Sequence, residues 1–110
     1  MAEQYYGYIR LYRDVDVEKR VVEDDLKRLS EFIKHRANTL KDVGYYILTY
    51  IDRGDVDGWV IVVGRDKNKV EHEIELILGF IESSLSSISG KKVNKPRTDK
   101  LIPIPRTRNF

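Results

Sequence analysis

Residues 45–65 read YYILTYIDRGDVDGWVIVVGR. Tyr45 to Ile51 is a run of Tyr, Ile, Leu and Thr, and Trp59 to Val63 is an unbroken apolar run. β-Branched and aromatic side chains suit a pleated, half-buried surface. Between the two runs stand Asp52, Arg53, Gly54, Asp55, Val56, Asp57 and Gly58. Gly tolerates positive φ, and Asp hydrogen-bonds its own backbone in turns. The stretch predicts a β-hairpin with a long, glycine-containing loop, and every other segment is placed relative to it.

Upstream, Gln4 to Val15 alternates as a strand does. Tyr5, Gly7, Ile9 and Leu11 fall on one side, and Tyr6, Tyr8, Arg10 and Tyr12 on the other. Asp16 is the expected N-cap of a helix over 17–40. Its apolar positions Val22, Leu26, Leu29, Ile33 and Leu40 recur at helical spacing. Gly44 is the expected stop after it. Downstream, Asn68 with Glu71 forms a capping-box pattern. The stripe Val70, Ile74, Ile77, Ile81, Leu85 and Ile88 then predicts a second helix, closed by Ser89 and Gly90. The remaining residues carry Pro96, Pro103 and Pro105 around Leu101, Ile102 and Ile104. Proline cannot donate to a ladder, so this piece reads as an edge strand at 101–104 or as an extended arm.

The order strand, helix, strand, strand, helix, edge strand predicts an α+β, ferredoxin-like (split βαβ) sandwich: an antiparallel sheet with two helices on one face. The expected division is a domain over 1–89 and a basic, proline-containing C-terminal arm over 90–110.

At 110 residues, the length allows one domain with one core. Charged residues make up 35%, a heavily charged surface of the kind many thermophile proteins have. There is no cysteine, hence no disulfide framework and no Cys-ligated zinc. No secretory leader is recognisable, and no apolar run approaches the ~20 residues that span a bilayer. The expected location is cytoplasmic, with no membrane partner.

The net charge of +2 is unevenly spread. Residues 90–110 hold seven basic side chains (Lys91, Lys92, Lys95, Arg97, Lys100, Arg106, Arg108) against Asp99 alone, a net of +6. The other 89 residues hold 13 basic and 17 acidic side chains, a net of −4. An acidic body with a basic end suggests a polyanionic partner. Lys and Arg neutralise phosphates and release counterions, giving affinity that is independent of sequence. The bland reading of the same residues is a solvated, solubilising tail.

Parity sorts the strands into two faces. Ile9, Leu11, Ile47, Ile51, Val60 and Val62 make an aliphatic face suited to helices. Tyr6, Tyr8, Arg10, Tyr12, Tyr46, Leu48, Tyr50, Trp59, Ile61 and Val63 make a face with no helix to cover it. A monomer does not leave so large an apolar patch in water. The expected uses of Tyr6, Tyr8, Tyr12, Tyr46, Tyr50 and Trp59 are a homodimer interface, a platform on which bases stack with Arg10 and the basic arm holding phosphates, or a surface under the chain's own tail. The layout resembles that of the RNA-recognition motif. Of that family's third-strand signature, the segment 57–62 keeps Gly58, the aromatic Trp59 and Val62, so the resemblance implies base stacking without assigning roles to residues.

Other chemistry is thin. Asp14 and Asp16, at the end of the first strand, stand where small ferredoxin-like nucleases of the CRISPR-associated type hold a metal, which implies a metal-dependent nuclease. The bland reading is a strand-to-helix turn. His35 and His72 each have a carboxylate one helical turn away, the pattern of surface ion pairs. The serines at 83, 84, 86 and 87 lack nucleophile-elbow spacing. No cofactor is implied. The sequence reads as a non-enzymatic protein that binds nucleic acid, DNA or RNA, or a nucleoprotein complex. The alternative is a protein–protein interaction module: an accessory, regulatory or viral inhibitor subunit of a nucleic-acid-processing complex.

Overall fold

A computed structural model describes residues 4–13, 17–52 and 55–93, with side chains for 4–13, 17–49 and 58–93. The order is β1 (Tyr5–Arg13), α1 (Lys19–Thr39), β2 (Val43–Asp52), β3 (Asp55–Gly64), α2 (Lys67–Ser84) and β4 (Ile88–Val93). The fold is α+β: two helices and a four-stranded antiparallel sheet in the order β2-β3-β1-β4.

The hairpin is longer than its residue types suggest. β2 and β3 pair from Val43↔Gly64 out to Asp52↔Asp55, so the predicted seven-residue loop shrinks to two residues, 53 and 54. Asp55, Val56, Asp57 and Gly58 join the ladder because backbone groups beside a waiting strand gain partners whatever their side chains prefer. Gly58 is there for closeness, not for a turn. A Cβ would sit 3.1 Å from the Leu48 carbonyl oxygen and 3.2 Å from Leu11 Cδ1.

The helix ends also move. The cap of α2 is Asp66, not Asn68: its Oδ1 accepts from the Asn68 and Lys69 backbone N–H groups at 2.9 and 3.3 Å. The N-cap position of α1 is Glu18, which makes no side-chain cap bond; the expected cap Asp16 lies outside the described residues. Gly44 is not a helix stop, since α1 ends at Thr39 and Gly44 belongs to β2.

The largest correction concerns residues 85–93. The predicted stripe of α2 runs on to Leu85 and Ile88, and both are buried. The helix, however, stops at Ser84, and Ile88–Val93 is the fourth strand, paired with β1 from Arg13↔Ile88 to Tyr8↔Val93. The cause lies 61 residues upstream. Asp25 of α1, itself buried, accepts from the Ser86 and Ser87 backbone N–H groups at 3.1 and 2.8 Å and from the Ser87 hydroxyl at 2.5 Å. A carboxylate that takes these donors fixes the turn that ends the helix. The sheet therefore extends to Val93, past the expected boundary at residue 89. The edge strand expected at 101–104 lies outside the described residues.

The helices pack on one face. Val22, Leu29 and Ile33 of α1 and Val70, Ile74, Ile77 and Ile81 of α2 share a core with Ile9, Leu11, Val43, Val60 and Val62. Phe32 and Phe80 stack between the helices, 4.2 Å apart and 10° from parallel. At Gly7, α2 comes so close that a Cβ would lie 2.5 Å from Ile74 Cγ1.

One polar group sits inside this layer. Glu73 of α2 is 0% exposed. Its Oε1 and Oε2 accept a forked pair of bonds from Arg36 Nε and NH2 of α1, at 2.8 and 2.7 Å, and Oε1 also accepts from the Tyr45 hydroxyl of β2 at 2.7 Å. Burial pushes the Glu73 pKa up, but the Arg36 and Tyr45 hydrogen bonds outweigh it and hold the carboxyl below its ordinary value. Burial and the Glu73 carboxylate drive the Tyr45 phenol well above its ordinary value. A carboxylate whose folded pKa is depressed contributes stability above its unfolded pKa, and loses it as pH falls through the folded value. Removing the cation leaves a buried charge unpaired. Arg36→Met is expected to cost about 3–5 kcal/mol at neutral pH. The deficit should shrink on acidification, as the stranded Glu73 protonates. Urea unfolding of both proteins at pH 7 and pH 4 checks it; an equal deficit at both pH values contradicts the assignment.

Candidate functional site

The sheet face away from the helices is the candidate site. Its cluster is Tyr8, Trp59 and Ile61, with Leu48 and Val93 packed against them, and it contains no helix residue. The strand register builds it. Tyr8 faces Ile61, and Arg10 faces Trp59 across β1 and β3. Tyr46 faces Ile61, and Leu48 faces Trp59 across β2 and β3. Directly opposed residues of an antiparallel pair share a face. Thus Lys91, opposite Arg10, stands on this side, and Lys92, opposite Ile9, stands on the helix side. There Lys92 Nζ lies 3.9 Å from Glu75.

The interior of this face is closed. Trp59 is 4% exposed and Ile61 0%. Tyr8 meets Trp59 edge-on, with centroids 6.5 Å apart and planes at 90°. The Arg10 guanidinium lies 5.0 Å from the Trp59 ring centre and 5.7 Å from that of Tyr12, two cation–π contacts. Burial, with the neighbouring Tyr6 phenol second, pushes the Tyr8 pKa up. Tyr8 and Trp59 therefore present no open ring to a base, contrary to the expectation from parity. Among the described residues, the rings that remain exposed are Tyr6 (38%), Tyr12 (45%) and Tyr46 (36%). Tyr6 also stacks on Tyr8 at 6.3 Å and 14°. The apolar patch left in water is smaller than its residue list implies, and the argument that it must be covered by a second copy weakens accordingly.

The other expected site residues divide. Lys91 and Lys92 are exposed, and they stand in the edge strand β4 instead of a free arm. Lys95, Arg97, Lys100, Arg106 and Arg108 lie outside the described residues, as do Asp14 and Asp16. The Tyr50 backbone, in β2, pairs with Asp57 of β3, and its side chain is outside the described set. His35 and His72 are exposed. Among the described residues, no three metal-ligating side chains gather, and no helix is long and apolar enough to cross a membrane.

Two features were not foreseen from the sequence. The Arg36–Glu73–Tyr45 cluster joins residues 28 and 37 apart; it is fully satisfied and ties elements together. The second is a groove of about 640 Å³ between α2 and β4, with Leu78, Ile81, Leu85 and Ile88 among its lining and Glu75, Glu82 and Lys92 among its charges. A helix running on to Ile88 would leave no β4 to form its second wall.

No protein-family model matches the chain, and no curated protein does. Among solved structures, the chain is similar to the de novo designed protein Foldit4: TM-score 0.59 and 24% identity over 86% of this chain and 100% of that one. At that identity the likeness concerns the fold alone.

The chain has one tryptophan, so Trp59 reports on this face without ambiguity. Its emission is expected at short wavelength, with weak quenching by acrylamide. Arg10→Ala should increase the quenching severalfold and cost about 1 kcal/mol, the scale of a partly desolvated cation–π contact. Emission of a water-exposed indole in the unmutated protein contradicts this picture.

Proposed function

We propose that the protein is a non-enzymatic nucleic-acid-binding protein, acting through the helix-free sheet face and the basic residues that follow β4. One observation carries the reading: Arg10 and Lys91 are directly opposed on β1 and β4, on the face that also exposes Tyr6, Tyr12 and Tyr46. Flat rings stack on any unpaired base, and neighbouring cations hold the connecting phosphates. Lys95, Arg97, Lys100, Arg106 and Arg108 follow β4 in the chain and add to that positive charge. We also read the fold as ferredoxin-like. The element order β-α-β-β-α-β, with β1 and β3 as the inner strands, supports this.

The α2–β4 groove favours a second reading, a protein–protein interaction module. Its apolar lining with charges of both signs suits a polypeptide better than a polyanion.

Fluorescence anisotropy with labelled single-stranded and duplex DNA and RNA, at two salt concentrations and with and without magnesium, separates the readings. Single strands are expected to bind with log K falling with log salt by about 0.7 per phosphate neutralised. Tyr6→Ala, Tyr12→Ala and Tyr46→Ala should each weaken single-strand binding by about 1–3 kcal/mol where that ring carries a base. Deleting residues 94–110 should flatten the salt dependence. No change in anisotropy with any nucleic acid overturns the proposal in favour of the interaction module. Magnesium-dependent fragments that vanish in Asp14→Ala favour a nuclease.

A further inference from the structure

The two edges of the sheet differ. β4 is short, six residues, and carries Lys91 and Lys92, the usual protection of an edge against stray pairing. β2 is ten residues long and has no charged side chain from Val43 to Ile51, no proline and, among the described residues, no ladder partner except β3. Natural sheets rarely leave such an edge open.

Register decides which groups it offers. A two-residue connection makes Asp52 and Asp55 a hydrogen-bonded pair, and hydrogen-bonded and non-hydrogen-bonded pairs alternate along an antiparallel ladder. Gly44, Tyr46, Leu48 and Tyr50 therefore bond to β3. The N–H and C=O groups of Val43, Tyr45, Ile47, Thr49 and Ile51 point outward.

We propose that β2 pairs with β2 of a second copy of this chain, antiparallel about a two-fold axis at Ile47, joining two four-stranded sheets into one of eight. Centred there, the outward groups meet as hydrogen-bonded pairs: Ile47 with Ile47, Tyr45 with Thr49, Val43 with Ile51. On the helix-free side, Tyr46 of each copy lies opposite Leu48 of the other. No charged side chain faces another within this span. The same operation suits β4 less well: centred on Lys91 or on Lys92 it sets a lysine directly against its own copy, and centred on Gly90 it pairs only the five residues 88–92. A two-fold contact needs a self-complementary strand, and β2 is the edge that supplies one. This dimer brings Tyr46 to the seam but leaves Tyr6, Tyr12 and Lys91 away from it, so the nucleic-acid reading keeps those groups.

Sedimentation or light scattering of the unmutated chain at micromolar concentration is expected to give twice the chain mass. Thr49→Pro removes an outward N–H while leaving the β3 ladder its bonds, and should give the single-chain mass with an unchanged circular dichroism spectrum. Ile47→Cys places two thiols on the axis, with Cα atoms about 5.5 Å apart, within disulfide reach. The chain has no other cysteine, so mild oxidation should yield a crosslinked dimer at this position and not with Tyr12→Cys. If Thr49→Pro fails to fold, the crosslinking pattern alone decides. A single-chain mass for the unmutated protein overturns the proposal, as does a dimer that survives in folded Thr49→Pro. Crosslinking through Tyr12→Cys but not Ile47→Cys overturns it in favour of a face-to-face dimer.

Discussion

The Glu73 carboxylate holds the two layers in one arrangement. It has no access to water and is balanced by a forked guanidinium from α1 and a phenol from β2. A buried ion pair adds little stability over a well-packed apolar alternative, but losing one partner is costly. Its consequence is directional. A slip of either helix along its axis, or a one-residue shift of β2, strands a charge in the core. The apolar contacts around it tolerate such slips far better. The tie thus fixes how α1, α2 and β2 sit together, and through β2 it fixes which side of the hairpin faces the helices.

Asp25 plays the matching part at the other end of the molecule. By accepting from Ser86 and Ser87, it ends α2 and turns the chain back toward the sheet. β4 then runs beside β1, and Lys91 comes to lie opposite Arg10. The cations of the candidate site owe their position to a buried carboxylate of the helix layer. The face they share is half closed by its own chemistry, since Arg10 lies over the Trp59 ring and Tyr8 meets its edge. Among the described residues, Tyr6, Tyr12 and Tyr46 remain exposed around this packed centre.

Much of this was legible in residue order. Alternation in Gln4–Val15 and in the hairpin sorted Ile9, Leu11, Val60 and Val62 toward the helices and Tyr6, Tyr12 and Tyr46 away from them, because strand side chains alternate whatever the context. The 3.6-residue stripes located both helices. What misled was continuity. Leu85 and Ile88 extend the stripe of α2 by spacing, and both are buried, yet a distant carboxylate had already ended the helix. Asp55, Asp57 and Gly58 look like loop residues, yet each lies beside a strand with bonds to offer. The Glu73 cluster left no local trace, since nothing near residue 73 points to residues 36 and 45. The sequence likewise listed aromatic rings without showing which would shield one another.

Periodicity and composition by themselves determined the types and order of the first five elements, the two-faced sheet and the excess of positive charge after residue 90. These depend on side-chain spacing along a single segment, which the chain carries wherever it goes. Only the tertiary structure decided where α2 stops, which residues form β4 and, among the described residues, which rings stay open and which edge of the sheet has neither charge nor a second ladder partner. Each of these depends on a group supplied by a segment dozens of residues away, and a one-dimensional pattern contains no distance between such groups.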